Sequence, residues 1–327
     1  MAQSRSATPA MPRGAMAAVV CAVAGVLVGG LPSTTLDAAG QVAIATALPT
    51  EFSSRMFFAR ATVNGRGPYW FTVDTGATLT VLDPTTAADL QLVVRDAGPR
   101  DDVGMGAGET RLATTAGAVI RIGEAPAFQP SPLYVLGVRD AEAYLGHRID
   151  GVLGTDFLRH HVVTFDYARR RVELAPASLA TAIGPAGVRV SLEGNRLIVP
   201  ATLTTPDGTP LAARLLVDTG NSGGLSLNTP FVRAHDLEAR FPNVPGDSIN
   251  LRISVGVNGA VTSRVVSFGR LAIGDAVVDR PDVALSSGDA GLSASPEFDG
   301  ILGADVLRHF TLRIDYPRTR LALVPPE

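Results

Sequence analysis

Two copies of one short motif constrain the fold of this chain more than any other feature. An apolar run ends in Asp-Thr-Gly at residues 74–76, and a second apolar run ends in the same three residues at 218–220. Each copy is followed downstream by Asp-Gly, two aliphatic residues and Gly, at 150–154 and at 299–303. An apolar run bounded by Gly is typical of a buried strand, so we expect each carboxylate where a strand leaves the core.

The repetition extends well beyond these motifs. Residues 158–160 read Leu-Arg-His, as do residues 307–309, and Asp-Tyr recurs at 166–167 and 315–316. A single Asp-Thr-Gly would indicate only a turn, because Asp bonds its own backbone and Gly supplies a positive φ. Two copies with matching downstream segments instead predict a duplicated chain with two similar lobes.

Composition favours an all-β chain. The sequence has 34 Gly and 23 Pro in 327 residues, with alternating Val, Thr and Leu and few helical periods. The predicted organisation is a signal peptide or anchor at 1–31, a connector at 32–51, a first lobe at 52–176, a linker at 177–188 and a second lobe at 189–327.

The N-terminal segment indicates export. Arg5 and Arg13 precede an apolar stretch at 15–28, which is the pattern of a signal peptide, and an uncleaved membrane anchor is the alternative. We therefore expect a periplasmic or secreted protein. Cys21, the single cysteine, lies in that stretch, so the mature chain would have neither disulfides nor a catalytic thiol. A net charge of −3 gives no basic face for nucleic acid.

Two carboxylates held face to face can activate a water molecule. At about 3 Å apart they cannot both ionise, so they share a proton and supply one base and one acid. This chemistry requires no metal and no cofactor. Other polar residues are interpreted as structural: the histidines His160, His161 and His309, and the turn or cap residues Asp150, Asp299, Asp156, Asp305, Asp166 and Asp315.

Residues 52–326 resemble the aspartic peptidases, and more specifically the retropepsin-like branch, fused here into two lobes as in pepsins. The resemblance implies an all-β, bilobal acid-protease fold, with two pseudo-twofold-related barrel-like lobes and a cleft between them. It also implies that Asp74 and Asp218 are catalytic. The supporting residues would be Thr75, Gly76, Thr219 and Gly220, with the two threonines bonded across the interface. Asn221 departs from the family pattern, in which Ala, Ser or Thr follows the motif.

Each half also contains a Gly-rich hairpin tip between its motif and its closing strands. These tips are either plain surface turns or flaps that close over the cleft. The flap candidates for substrate binding are Gly104, Met105 and Gly106 in the first half and Val257, Asn258 and Gly259 in the second.

The leading functional hypothesis is an aspartic endopeptidase that acts as a monomer on peptide or protein substrates. It would contact a membrane only through an uncleaved N-terminal segment, and it would work best in the weakly acidic range. A catalytically weak or inactive peptide-binding protein on the same fold is the alternative, motivated by Asn221 and the small residues at the flap tips. A third arrangement, in which each half pairs with a half of another chain, is disfavoured because one chain supplies both motifs.

Overall fold

The structure is a computed structural model that describes residues 16–20, 45–100, 110–178, 187–242, 250–256 and 259–326. Strands dominate it, and they are numbered in chain order. The strands before the linker are β1 Met16–Val20, β2 Thr46–Ala47, β3 Thr50–Ser53, β4 Met56–Val63, β5 Arg66–Val73, β6 Val81–Leu82, β7 Arg95–Arg100, β8 Thr110–Thr115, β9 Ile120–Ile122, β10 Leu133–Val135, β11 Gly151–Leu153, β12 His161–Asp166 and β13 Arg171–Pro176.

The second half repeats this layout. Its strands are β14 Val188–Arg189, β15 Ser191–Glu193, β16 Arg196–Thr204, β17 Pro210–Asp218, β18 Leu225–Leu227, β19 Leu251–Gly256, β20 Gly259–Ser267, β21 Arg270–Ile273, β22 Ala276–Asp279, β23 Asp282–Ser286, β24 Gly300–Gly303, β25 Thr311–Asp315 and β26 Arg320–Val324. The helices are short: α1 Pro84–Asp89, α2 Glu142–Leu145, α3 Thr155–Leu158, α4 Thr229–Ala234, α5 Leu237–Arg240 and α6 Ala304–Leu307, with 3₁₀ turns at Arg139–Ala141 and Leu292–Ala294.

The two large sheets share one topology. The first has the order β3-β4-β5-β11-β6-β10-β8-β7, and the second has the order β1-β19-β20-β23-β18-β24-β17-β16-β21-β22. In the first lobe β11 runs parallel to β5 and antiparallel to β6. In the second lobe β24 runs parallel to β17 and antiparallel to β18. The sequence repeat is therefore a repeat of strand pairing, and the predicted all-β bilobal fold is confirmed.

A third sheet joins the halves. Its order is β14-β26-β25-β12-β13-β2, and its central pair brings β12 of the first half against β25 of the second. Strand β2, which lies in the segment predicted as a connector, forms one edge of this sheet through β13. Of the predicted linker, residues 179–186 lie outside the described residues.

The core is built from apolar faces of these strands. Phe57, Phe71, Phe157 and Phe165 have essentially no exposed surface in the first lobe, and Phe268 is equally buried in the second. Burying a side chain of this size contributes about 2–3 kcal/mol. One continuous cluster of buried side chains runs through both lobes and the joining sheet. The loops at the lobe boundary are thus held on a rigid scaffold.

The starts of the equivalent helices α1 and α4 differ in their chemistry. Asp83 caps α1, because its Oδ1 accepts the Thr85 N–H at 2.8 Å. Asn228 occupies the equivalent position before α4 but makes no such bond. Its amide instead donates to the carbonyl oxygens of Phe298 (2.9 Å) and Ser295 (3.2 Å), so it ties α4 to the segment before β24.

None of the helices in the described part of the chain is long and apolar enough to span a membrane.

Candidate active site between the two lobes

Each Asp-Thr-Gly motif lies where a central strand ends. The Asp74 N–H donates to the Leu153 carbonyl at 3.0 Å, which continues the pairing of β5 with β11. Asp218 is the last residue of β17 and pairs with Gly303. The apolar-apolar-Gly segments therefore form the strands beside the two motifs, and each carboxylate starts from a fixed backbone position.

The two threonines bond across the lobe boundary, as the family resemblance implies. The Thr75 hydroxyl donates to the Val217 carbonyl at 2.6 Å and accepts the Thr219 N–H at 3.1 Å. The Thr219 hydroxyl donates to the Val73 carbonyl at 2.8 Å and accepts the Thr75 N–H at 3.1 Å. Both side chains are fully buried. These four bonds fix the separation and orientation of the two loops.

The two glycines bring each loop against the carboxylate of the other lobe. A methyl group at Gly76 would overlap the carboxylate of Asp218, and one at Gly220 would overlap the carboxylate of Asp74. Only a residue without a side chain allows this approach. The two carboxylates are therefore brought together, and both are completely buried.

The two carboxylates differ in their own hydrogen bonds. Oδ1 of Asp74 accepts the N–H groups of Gly76 (2.8 Å) and Ala77 (3.1 Å). Oδ2 of Asp74 and both carboxylate oxygens of Asp218 have no hydrogen-bond partner among the described residues. Three buried carboxylate oxygens thus remain available for a water molecule or a substrate.

Electrostatics separates the pair further. Burial raises the pKa of Asp74 to about 6, and the N–H groups of Gly76 and Ala77 oppose the rise. Burial and the neighbouring charge of Asp74 raise the pKa of Asp218 well above its usual value, and the N–H groups of Gly220 and Asn221 oppose the rise. Together with the two N–H bonds to Asp74, these directions favour an ionised Asp74 beside a protonated Asp218 in the coupled pair.

The residue after each motif explains part of this difference. The Ala77 N–H reaches the carboxylate of its own loop, whereas the Asn221 N–H points to the main-chain carbonyl of Asp218 at 3.4 Å. The Asn221 side chain accepts the Gly223 N–H at 2.8 Å and so stabilises its own turn. The departure from the family pattern at Asn221 accompanies a carboxylate that is less well solvated by its loop.

A second crossed contact was not predicted from the sequence. Arg55, at the turn between β3 and β4, donates to the Ser222 carbonyl at 3.1 Å and pairs with Asp305 at 3.1 Å. Asn195, at the turn between β15 and β16, donates to the Thr78 carbonyl at 3.1 Å. Both turn residues have φ of +67°. Each lobe thus places one turn residue against the Asp-Thr-Gly loop of the other, and no local pattern marks either residue.

The flap candidates fall mostly outside the described residues. This holds for Gly104, Met105 and Gly106 in the first half and for Val257 and Asn258 in the second. Gly259 is described: it begins β20 with φ of +124° and pairs with Gly256 of β19. The second hairpin has the predicted strand layout on either side of its tip.

The remaining polar residues have structural partners. Asp150 accepts the Trp70 N–H at 2.9 Å, and Asp299 accepts the Arg214 N–H at 2.7 Å at the equivalent place. The other four predicted turn or cap carboxylates bind neighbouring side chains or amides: Asp156 with Thr80, Asp305 with Arg308, Asp166 with Arg169 and Asp315 with Arg318.

The histidines interpreted from the sequence as structural have no metal site beside them in the described part of the chain. His161 contacts Phe157, with its ring against the phenyl group and its Nδ1 3.3 Å from the main-chain carbonyl. Burial lowers the pKa of both His160 and His161. Among the described residues, no group of three or more His, Cys, Asp or Glu side chains could hold a metal ion.

Comparison with known proteins supports the same interpretation. Residues 59–157, which include Asp74 and the strand beside it, match the family model described as aspartyl protease. The first lobe is thus similar to the aspartyl protease family over these residues. The resemblance predicted from the sequence is thereby confirmed for this lobe, and the second lobe repeats its strand topology.

The chain is also similar to solved structures. The aspartic proteinase of Irpex lacteus aligns with 14% identity and a TM-score of 0.49, over 87% of this chain and 98% of that chain. Basic 7S globulin from soybean aligns with 12% identity and a TM-score of 0.42, over 86% of this chain and 94% of that chain. No curated protein sequence matches the chain.

Proposed function

We propose that this chain is an aspartic endopeptidase, exported and active as a monomer, that cleaves peptide or protein substrates. The observation that carries the proposal is the pair of buried carboxylates, Asp74 and Asp218, each packed against the glycine of the other lobe. A binding protein has no need for two carboxylates whose charges repel in a buried site. One chain supplies both, so the site needs no second copy.

The mechanism assigns different roles to the two groups. Ionised Asp74 takes a proton from a water molecule, and the oxygen of that water attacks the scissile carbonyl carbon. Protonated Asp218 donates its proton to the carbonyl oxygen, which gives a neutral tetrahedral intermediate. The proton held by Asp74 then passes to the leaving nitrogen as the C–N bond breaks, and Asp218 recovers its proton from the intermediate. Every proton is returned, and no metal or cofactor takes part.

The pKa directions set the pH range of this mechanism. The pKa of Asp74 is raised to about 6, so the base is lost by protonation as the pH falls through that value. The pKa of Asp218 is raised well above its usual value, so the acid is lost only at higher pH. Activity therefore belongs near pH 6 and above it, less acidic than a pair with ordinary carboxyl pKa values would allow.

The test is cleavage of a peptide library by the purified protein, with and without pepstatin, compared with three single variants. Asp74→Asn and Asp218→Asn should each lower the turnover by about 10²- to 10⁴-fold, the usual contribution of a positioned proton-transfer group. Asp289→Asn is the matched control, because Asp289 is exposed and pairs with Arg233 at the surface. Near wild-type turnover in either site variant would overturn the assignment, and peptide binding without cleavage would favour the binding-protein alternative.

A further inference from the structure

Strand β19 has its polar and apolar faces reversed. In an ordinary half-buried strand the apolar residues face inwards. With β1 paired along its outer edge, strand β19 buries Arg252 and Ser254, at 7% and 8% exposure, while Leu251 is 45% exposed. The neighbouring strands add Ser263 and Ser286 to this face, both buried, together with Val261 opposite Ser254. The inner face of this hairpin is therefore mostly polar and contains an arginine.

Arg252 has no hydrogen-bonding partner within the described part of the chain, and its nearest opposite charges are Asp305 and Asp282. Asp305 is already bound by Arg55 and Arg308. Burial lowers the pKa of Arg252 from its usual value, but an arginine stays charged. A buried guanidinium without a hydrogen-bonding partner is costly, which makes Arg252 a candidate to bind a group from outside.

The position of Arg252 links it to the active site. A methyl group placed on Gly224 would lie 3.5 Å from Nη1 and 3.9 Å from Nη2 of Arg252, so the guanidinium packs against this glycine. Gly224 belongs to the loop that follows Asp218, and its carbonyl accepts the Gly303 N–H at 3.0 Å. The guanidinium thus lies against the loop that carries one of the two carboxylates.

The first lobe has no equivalent cation. Equivalent positions are found by following the strand pairings outward from β11 in the first lobe and from β24 in the second. In this comparison Leu112 corresponds to Ser263, and Gly98 corresponds to Arg252. Leu112 is buried in an apolar cluster that includes Phe58 and Ala77. The two sides of the site therefore differ: one is apolar and the other is cationic.

We propose that Arg252 binds a carboxylate of the substrate on the second-lobe side of the scissile bond, so that the enzyme selects acidic substrates. This inference rests on the proposed function, because it treats the Asp74–Asp218 site as a peptide-binding site. The carboxylate belongs either to an Asp or Glu side chain or to the C-terminus of the substrate. A guanidinium binds either one through two parallel hydrogen bonds.

The test compares peptides that differ only in one charge. Glu and Gln are exchanged at each position around the cleavage site in peptides with an amidated C-terminus, and a parallel set compares free with amidated C-termini. At pH 6 the Glu side chain is ionised. Wild-type protein should prefer the carboxylate in one of these sets by about 10- to 100-fold in kcat/KM, as charge-assisted bonds allow.

Variants assign the preference to Arg252. Arg252→Met should reduce the preference to less than about threefold, because kcat/KM falls more for the carboxylate peptide than for its Gln or amidated counterpart, and Arg252→Lys should keep part of the preference. Arg264→Met is the control on the adjacent strand, because Arg264 is bonded to Phe241 and Glu238. A wild-type enzyme indifferent to charge, or an Arg252→Met variant that keeps the preference, would overturn the proposal.

A binding measurement separates this inference from the proposed function. Fluorescence polarisation on the Asp218→Asn variant needs no catalysis, and it compares labelled Glu with Gln peptides and free with amidated C-termini. Tighter binding of the carboxylate peptide in either pair that disappears on adding Arg252→Met supports the subsite, even if the wild-type protein cleaves nothing and the peptidase assignment fails. Equal binding within both pairs, or no binding, overturns the subsite whatever the activity.

Discussion

The loops that carry Asp74 and Asp218 make the same contacts with each other but treat their own carboxylates differently. Across the boundary, each threonine hydroxyl binds the other loop and each glycine faces the other Asp. Within each loop, Asp74 accepts two N–H groups, whereas the N–H groups of Gly220 and Asn221 lower the pKa of Asp218 without a hydrogen bond to its carboxylate. The duplicated backbone thus builds a symmetric frame, and small local differences give the two carboxylates different pKa values.

The same contrast appears one layer further out. Asp156 and Asp305 begin equivalent helices, yet Asp156 bonds the Thr80 hydroxyl at 2.7 Å and Asp305 pairs with Arg55 and Arg308. Burial raises the pKa of Asp156. Asp305 in the second lobe is therefore bound by two arginines, whereas Asp156 in the first lobe is bound by a neutral hydroxyl group.

The crossed glycines offer the strongest test of the symmetric frame. Gly76→Ala and Gly220→Ala each place a methyl group into the opposite carboxylate, so both should destabilise the fold by about 3 kcal/mol and lower activity by at least about 100-fold. Thermal unfolding and peptide cleavage measure the two effects. Gly137→Ala, at an exposed position without a positive φ and with nothing near the added methyl, is the control for a loss of backbone freedom alone. A large effect at only one of the two positions would break the symmetry.

The crossed threonines should give smaller, equal effects. Thr75→Val and Thr219→Val each leave one buried carbonyl and one buried N–H without a partner, at a cost of about 2 kcal/mol. The serine variants keep both bonds and serve as controls. Chemical denaturation gives the unfolding free energies. If either valine variant is as stable as the wild type, that crossed bond does not hold the lobes together.

The turn residues sharpen the contrast between the lobes. Arg55→Met should cost about 1 kcal/mol, because it removes a hydrogen bond and a half-exposed ion pair, whereas Asn195→Ala should cost about 0.5 kcal/mol. The Arg55 effect should shrink in 1 M salt and the Asn195 effect should not. Denaturation at low and high salt checks this. If 1 M salt reduced the Asn195 effect and not the Arg55 effect, the assignment of a charged contact to Arg55 and a neutral contact to Asn195 would be contradicted.

The fold and the carboxylate pair were accessible from the sequence because the information is local and repeated. Asp74 and Asp218 stand at the ends of apolar runs, and the segments around Val152 and Ile301 repeat with them. The contacts of Arg55 and Arg252 could not be predicted from the sequence. Arg55 contacts neighbours more than 150 residues away, and Arg252 lies on a strand whose polar and apolar faces are reversed. In residues 251–255 alternation alone would place Arg252 in solvent.

The inequality of the two carboxylates is the central claim, and titration of the aspartate side chains tests it most directly. Carbon-13 NMR of protein labelled at the Asp carboxyl carbons, with Asp74→Asn and Asp218→Asn for assignment, follows each group without requiring activity. We expect one step near pH 6 that disappears in Asp74→Asn, and a second step well above the usual carboxyl range that disappears in Asp218→Asn. Two ordinary titrations near pH 4, or ionisation of Asp218 before Asp74, would contradict the account.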